Sequence, residues 1–173
     1  MQARYRIENF RVDIHEYETN KVIGRGGFAV IYLVKKKGIN KPPIAAKVLL
    51  DMSDSERNTQ YFTRQLAILM RISAPTILRF HGFSPVDFHD NHSLTIFTDY
   101  AANGSLAEMI TNAEKGMCPP EYDATQKQII LCGIAHGMMI LHSHGVLHRD
   151  LNPNNVLLDA HFHPLITGFS LSK

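Results

Sequence analysis

From Tyr17 onward apolar and polar residues alternate, the period of a strand with one buried face. The alternation breaks at Gly24-Arg25-Gly26-Gly27 and resumes as Phe28-Ala29-Val30-Ile31-Tyr32-Leu33-Val34. That pattern predicts a β-hairpin with a glycine-rich turn. A basic turn over residues 35–43 leads to a third strand over 44–50, Ile44-Ala45-Ala46-Lys47-Val48-Leu49-Leu50. Residues 53–71 begin polar and place Phe62, Leu66, Leu69 and Met70 on one helical face, with Pro75 as a stop. Two further strands fit 77–81 and 94–100, joined by the polar loop 84–93. Asn103-Gly104-Ser105 reads as a turn and helix start, followed by a short helix over 106–110 and a loop over 116–120. Ile129, Ile130, Gly133, Ile134, Gly137, Met138 and Leu141 predict a longer helix over 125–144, and two short strands fit 156–158 and 165–167. Strands with one helix, followed mainly by helices, argue an α+β fold in two lobes. The boundaries expected are a single domain over 1–173, with lobes 17–100 and 101–173 and the small polar stretch 101–104 as a hinge.

Composition narrows the class more than the chemistry. A chain of 173 residues, 45% hydrophobic and 20% charged, has the makings of one globular domain with a real core. A formal net charge of +2 gives no reason to expect nucleic acid or an anionic membrane as partner. The first ten residues carry Arg4, Arg6 and Glu8 and lack the apolar run of a secretory signal. Cys118 and Cys132 are too few and too far apart for a metal knuckle or a disulfide framework, so a reducing cytoplasmic setting is expected. His142, His144, His148, His161 and His163 suit helix-end, turn and structural roles, since a metal site needs three or four convergent ligands.

The chemistry concentrates in His148-Arg149-Asp150-Leu151-Asn152-Pro153-Asn154-Asn155-Val156-Leu157-Leu158. Asp150 and Asn155 lie five residues apart in a short loop before an apolar run. That spacing lets the aspartate face a substrate hydroxyl while the asparagine reaches a phosphate-bound metal ion. A hairpin with three glycines is by itself often only a turn, but Lys47 follows Ile31 by sixteen residues on an apolar strand. A lysine there is costly to desolvate unless an anion meets it.

Taken in order, these motifs resemble those of the eukaryotic protein kinase superfamily from Tyr17 to the end of the chain. Asn103-Gly104-Ser105-Leu106 and Phe169-x-Leu171-Ser172-Lys173 look most like serine/threonine kinases of the tyrosine-kinase-like group. The resemblance implies a kinase-like bilobal fold: a complete first lobe of five antiparallel strands plus one helix, and a partial, mainly helical second lobe. It implies ATP or ADP as ligand, held by the glycine loop (Ile23, Gly24, Arg25, Gly26, Gly27, Phe28, Ala29) and sandwiched by Ile31, Ala45 and Leu157. It further makes Thr98, Asp99 and Ala101 the residues along the adenine edge, Lys47 the anchor of the α- and β-phosphates and Asp150 the acceptor of the hydroxyl proton. Asn155 becomes a ligand of Mg²⁺. Leu69, Phe80, His148 and Phe169 match the family's stacked column through both lobes.

Several positions depart from the pattern. Gly168 stands where the family's Asp-Phe-Gly segment carries the aspartate that holds Mg²⁺, so Mg²⁺ binding is doubtful on the resemblance itself. Gln65 replaces the glutamate that pairs with the strand lysine, and Asn152 replaces a lysine that contacts the γ-phosphate. The sequence ends five residues after Gly168, so the family's activation segment, peptide-docking platform and later helices have no counterpart in it. The helix over 125–144 is then expected to expose apolar surface that a protein partner could cover. Two outcomes follow: an ATP-dependent serine/threonine phosphotransferase with impaired activity, or a pseudokinase-type module that binds nucleotide or a partner.

Overall fold

The computed structural model describes residues 7–27, 29–50 and 56–173, with the side chains of the first helix described from Thr63 onward. The chain forms two compact units, Met1–Thr59 with Phe80–Tyr100, and Gln60–Arg79 with Ala101–Lys173.

The first unit is a five-stranded antiparallel sheet in the order β1-β2-β3-β5-β4. Its strands are β1 (Tyr17–Arg25), β2 (Ala29–Lys36), β3 (Ile44–Leu49), β4 (Phe80–Ser84) and β5 (Thr95–Asp99). Strand alternation divides the side chains between two faces. Val34, Ala46 and Phe97 lie on one face and form a core with Ile14, which is only 2% exposed. Ile14 comes from a segment the sequence pattern did not resolve: short 3-10 turns over Ile7–Phe10 and Ile14–Glu16 run ahead of β1. Between them the Val12 amide donates to the Phe83 carbonyl (2.9 Å), and Phe10 packs on Phe80 with ring centroids 5.6 Å apart. The backbone comes close because Gly82 has no side chain; a Cβ there would sit 2.7 Å from the Phe10 carbonyl oxygen.

The fourth strand corrects the sequence reading. Residues 77–81 were expected to form it, but it covers Phe80–Ser84, while Ile77 pairs with Ile166 in the other unit. Apolar character alone cannot say which sheet an Ile-Leu run joins.

The second unit holds α1 (Glu56–Arg71) from Gln60 on, α2 (Leu106–Glu114), α3 (Ala124–Ser143) and the two-stranded sheet β6 (Val156–Leu158) with β7 (Pro164–Ile166). Expected residues 53–55 lie outside the described residues. The α2 helix runs four residues beyond the expected 106–110, started by a capping box in which Ser105 accepts from the Glu108 amide and Glu108 from the Ser105 amide. Asp123 caps α3 through the Gln126 amide (2.7 Å). Met109, Tyr122, Ile130, Leu158 and Phe162 form one core here. A second seam runs along Gly133 and Gly137, where α3 lies so close to β7 that an added Cβ would overlap Pro164 or Ile166. Only Ile130, Gly137 and Leu141 of α3 are buried, and Leu131 and Met139 are 66% and 60% exposed. Among the described residues no helix is long and apolar enough to cross a membrane.

Candidate functional site

In the first unit the ladder registers bring the expected residues onto one face. Ile31 pairs with Lys47, and Lys47 with Ile96; Leu33 pairs with Ala45, and Ala45 with Thr98. Directly paired residues point to the same side of a sheet. Ile31, Ala45, Lys47 and Thr98 therefore share the face opposite the Ile14 core. Gly24, paired with Ile31, brings the hairpin turn to its edge. The turn closes through the Gly26 amide, which donates to the Ala29 carbonyl (2.9 Å). Neither Gly26 nor Gly27 has a positive φ, and a Cβ at Gly27 would meet nothing within 4 Å. Their conformation does not demand glycine; what glycine supplies is bare, accessible backbone. Phe28 lies outside the described residues. Ile23 is half-buried, Arg25 exposed, and Ala29 buried within β2.

Lys47 keeps part of its surface open, yet its ammonium is enclosed enough that burial lowers its pKa from the usual lysine value. Burial is the whole of that shift, and among the described residues Lys47 forms no ion pair. A cation in that state gains from any anion brought to it. Asp99, at the end of β5, is bound through its carboxylate to His81 (2.6 Å), and its carbonyl accepts from the Thr98 hydroxyl (3.3 Å). The chain passes from the first unit to the second between Tyr100 and Ala101.

In the second unit the loop after α3 is pinned at both ends. Leu147 and Lys173 exchange backbone hydrogen bonds of 2.8 and 3.0 Å, and the buried Ser172 hydroxyl donates to the His148 carbonyl (3.1 Å). His148, 1% exposed, uses both ring nitrogens: Nε2 donates to the Thr167 carbonyl (2.7 Å) and Nδ1 accepts from the Asp150 amide (3.3 Å). Its ring packs against that of Phe169, with centroids 5.2 Å apart and planes tilted by 58°, one contact between two members of the expected column. Arg149, between them, has φ +64°, a conformation rarely held by non-glycine residues outside special sites. Asn152 caps a 3-10 turn over Pro153–Asn155. Leu157, half-buried between the buried Val156 and Leu158, pairs with Ser105.

Asp150 and Asn155 are in direct contact. The Asn155 Nδ2 donates to the Asp150 carboxylate (Oδ2, 2.9 Å) and carbonyl (2.8 Å). Gly168 lies on the other side of Asn155, in the left-handed region at φ +84°, ψ +33°. A Cβ built on Gly168 would overlap the Asn155 side-chain amide. The space that an aspartate at 168 would enter is therefore filled by Asn155, whose amide is turned to Asp150. Mg²⁺ wants hard, preferably anionic oxygens in near-octahedral array. One carboxylate already bound by amides, with a neutral amide beside it, does not fit that demand. Among the described residues no group of three or more His, Cys, Asp or Glu converges, and His163 and His144 bond instead to Asp159 (3.2 Å) and the Ile140 carbonyl (2.9 Å).

The family model described as protein kinase domain matches residues 17–173. The chain belongs to the protein kinase family. Among curated proteins this kinase domain is 28% identical over 170 residues to serine/threonine-protein kinase PLK4 of Drosophila grimshawi, covering 96% of the chain and 21% of that protein. It is 29% identical over 163 residues to serine/threonine-protein kinase AtPK1/AtPK6 of Arabidopsis thaliana (94% and 33%). It is 28% identical over 167 residues to human serine/threonine-protein kinase TNNI3K (95% and 19%). The kinase domain thus spans about a fifth to a third of the length of these relatives. It is a protein kinase domain with serine/threonine kinase homologues.

The sequence reading missed how Asn152 is used. Its Nδ2 donates to Asp150, both to Oδ1 (3.1 Å) and to the carbonyl (3.0 Å). A signal was present: an asparagine before proline, two residues from a polar neighbour, favours local side-chain to backbone bonds.

Proposed function

We propose that this kinase domain binds ATP or ADP through the glycine hairpin and the Lys47 face, with little dependence on Mg²⁺, and that its transfer of phosphate to protein hydroxyls is impaired. The observation that carries the nucleotide reading is Lys47 itself: a cation made unfavourable by burial, without an ion pair among the described residues, on one face with Ile31, Ala45 and Thr98. An α- or β-phosphate would relieve that burial, and bare amides of the hairpin turn would donate to the oxygens around it. Ile31 and Ala45 offer apolar contact to a base. Asp150 would orient the acceptor hydroxyl and take its proton.

Impairment follows from what is missing around that step. Gly168 offers no carboxylate, Asn155 fills its space, and Asn152 brings no positive charge. Removing one preorganised charge contact typically costs on the order of 2.7–4 kcal/mol of transition-state stabilisation, and such losses are not additive. A cytoplasmic setting is proposed on the two unpaired cysteines.

The test is a thermal-shift titration with ATP and ADP, with and without Mg²⁺, followed by radiolabelled ATP with a generic protein substrate. Stabilisation by either nucleotide without the ion, together with weak or absent transfer, is expected. Stabilisation by MgATP alone, or robust turnover abolished by Asp150→Ala, would overturn the reading. A partner-binding module is the second reading, and the exposure of Leu131, Met139 and Ile129 on α3 favours it. Loss of self-association or partner capture in Leu131→Lys/Met139→Lys would separate that role from nucleotide binding.

A further inference from the structure

Asp150 is gripped by the loop that carries it. The side-chain amides of Asn152 and Asn155 both reach Asp150, each Nδ2 lying within hydrogen-bond distance of two of its oxygens. Asn152 Nδ2 reaches the Asp150 carbonyl (3.0 Å) and Oδ1 (3.1 Å); Asn155 Nδ2 reaches the carbonyl (2.8 Å) and Oδ2 (2.9 Å). Each carboxylate oxygen is therefore bound once, from opposite ends of the turn. The orientation of the Asn152 amide is fixed independently, because its Oδ1 accepts from the Asn154 backbone amide (3.0 Å), which a flipped amide could not do. Asn155 is backed by a backbone bond from Thr167 to its carbonyl (2.9 Å) and by the absent side chain at Gly168.

We propose that Asn152 is a positioning residue for Asp150: with Asn155 it clamps the carboxylate in one orientation, and the loop orients its aspartate with its own amides and without an ion or a nucleotide. The clamp leaves one lone pair on each carboxylate oxygen for an incoming hydroxyl. It also turns the Asn152 amide toward Asp150, so the residue acts on the aspartate. This deepens the reading of Asp150 as the group that receives the hydroxyl proton, and rests on it for its purpose though not for its geometry.

The competing role for Asn152 is purely structural, as the cap of the Pro153–Asn155 turn. Asn152→Asp separates the two. It keeps an acceptor for the Asn154 amide, removes both donors and sets a second carboxylate against Asp150. The experiment uses the whole chain, ¹⁵N-labelled, and follows the side-chain amide signals of Asn152 and Asn155 with and without ADP and MgCl₂. In the wild type both should lie away from the free-asparagine position and stay there when ion or nucleotide is added. Asp150→Ala removes the carboxylate but keeps the backbone carbonyl that also accepts from both amides, so it should move both signals toward the free position without reaching it; Asp150→Asn, which offers a single side-chain acceptor oxygen, serves if the alanine variant does not fold. In Asn152→Asp the Asn155 amide should shift as Asp150 turns, while the Asn154 backbone amide stays in place. Where transfer is measurable, that variant should lower turnover at saturating ATP and leave KM for ATP unchanged. An Asn152 amide at the free position in the wild type, or an Asn155 signal unmoved in Asn152→Asp, overturns the clamp. Failure of the wild type to bind either nucleotide would instead defeat the kinase-type reading, and the amide signals would still decide the clamp.

Discussion

Restoring the family's aspartate at position 168 should damage this protein before it helps it. Gly168 sits at φ +84°, where a side chain costs roughly 1–2 kcal/mol, with aspartate toward the lower end because its short polar group tolerates the region. Its Cβ would also overlap the Asn155 amide, so Asn155 must rotate away. That breaks its 2.8 and 2.9 Å bonds to Asp150, each contributing about 0.5–1.5 kcal/mol net. The expected loss for Gly168→Asp is therefore about 2–5 kcal/mol without divalent ion, a large share of a domain's usual 5–15 kcal/mol or so. Gly168→Ala carries the same overlap and somewhat more backbone strain but no carboxylate, so it probes the steric part. Urea denaturation of the three proteins in EDTA and in millimolar MgCl₂ measures both effects. Both variants should be less stable in EDTA, and Mg²⁺ with nucleotide should recover Gly168→Asp alone. If Gly168→Ala is as stable as the wild type, Asn155 does not hold the space assigned to it. If Mg²⁺ with nucleotide stabilises the wild type as much as Gly168→Asp, the donor-set argument is wrong.

Other substitutions probe the remaining structure. Burial lowers the Lys47 pKa, so between its folded value and the unfolded 10.5 the unfolded chain binds more protons and stability rises with pH. Lys47→Met should thus be more stable than the nucleotide-free wild type by a margin that shrinks as pH rises toward 10.5, and should lose nucleotide stabilisation; a margin constant with pH in thermal scans would contradict this. Gly82→Ala should push the segment around Phe10 and Val12 off β4, costing about 1–3 kcal/mol as an overpacked contact. Unchanged tryptic cleavage after Arg11 in that variant would count against the close approach. Gly133→Ala gains about 1 kcal/mol of helix propensity, but its Cβ meets the stiff Pro164 ring, so overpacking of about 1–3 kcal/mol should leave it no more stable, and typically less stable, in urea; a clear stabilisation would show that α3 and β7 can move apart.

The sequence by itself determined the element order, the glycine hairpin, the helix start at Ser105, and the contiguous loop that marks the family. Each of these is written within a few residues: alternation sets a strand, Ser-x-x-Glu starts a helix, and a catalytic loop is one unbroken motif. Tertiary structure decided what depends on residues far apart in the chain. It paired Lys47 with Ile31 and Ile96, and Ala45 with Thr98, so that one sheet face collects residues from three strands. It drew Ile77 to Ile166 instead of into β4, and placed Ile14 in the core of a sheet that begins three residues later. It also turned Asn155 toward Asp150 and over Gly168. A one-dimensional pattern shows that a glycine has replaced an aspartate. Only close packing among distant side chains decides what takes up the space and the hydrogen bonds that the aspartate would have used.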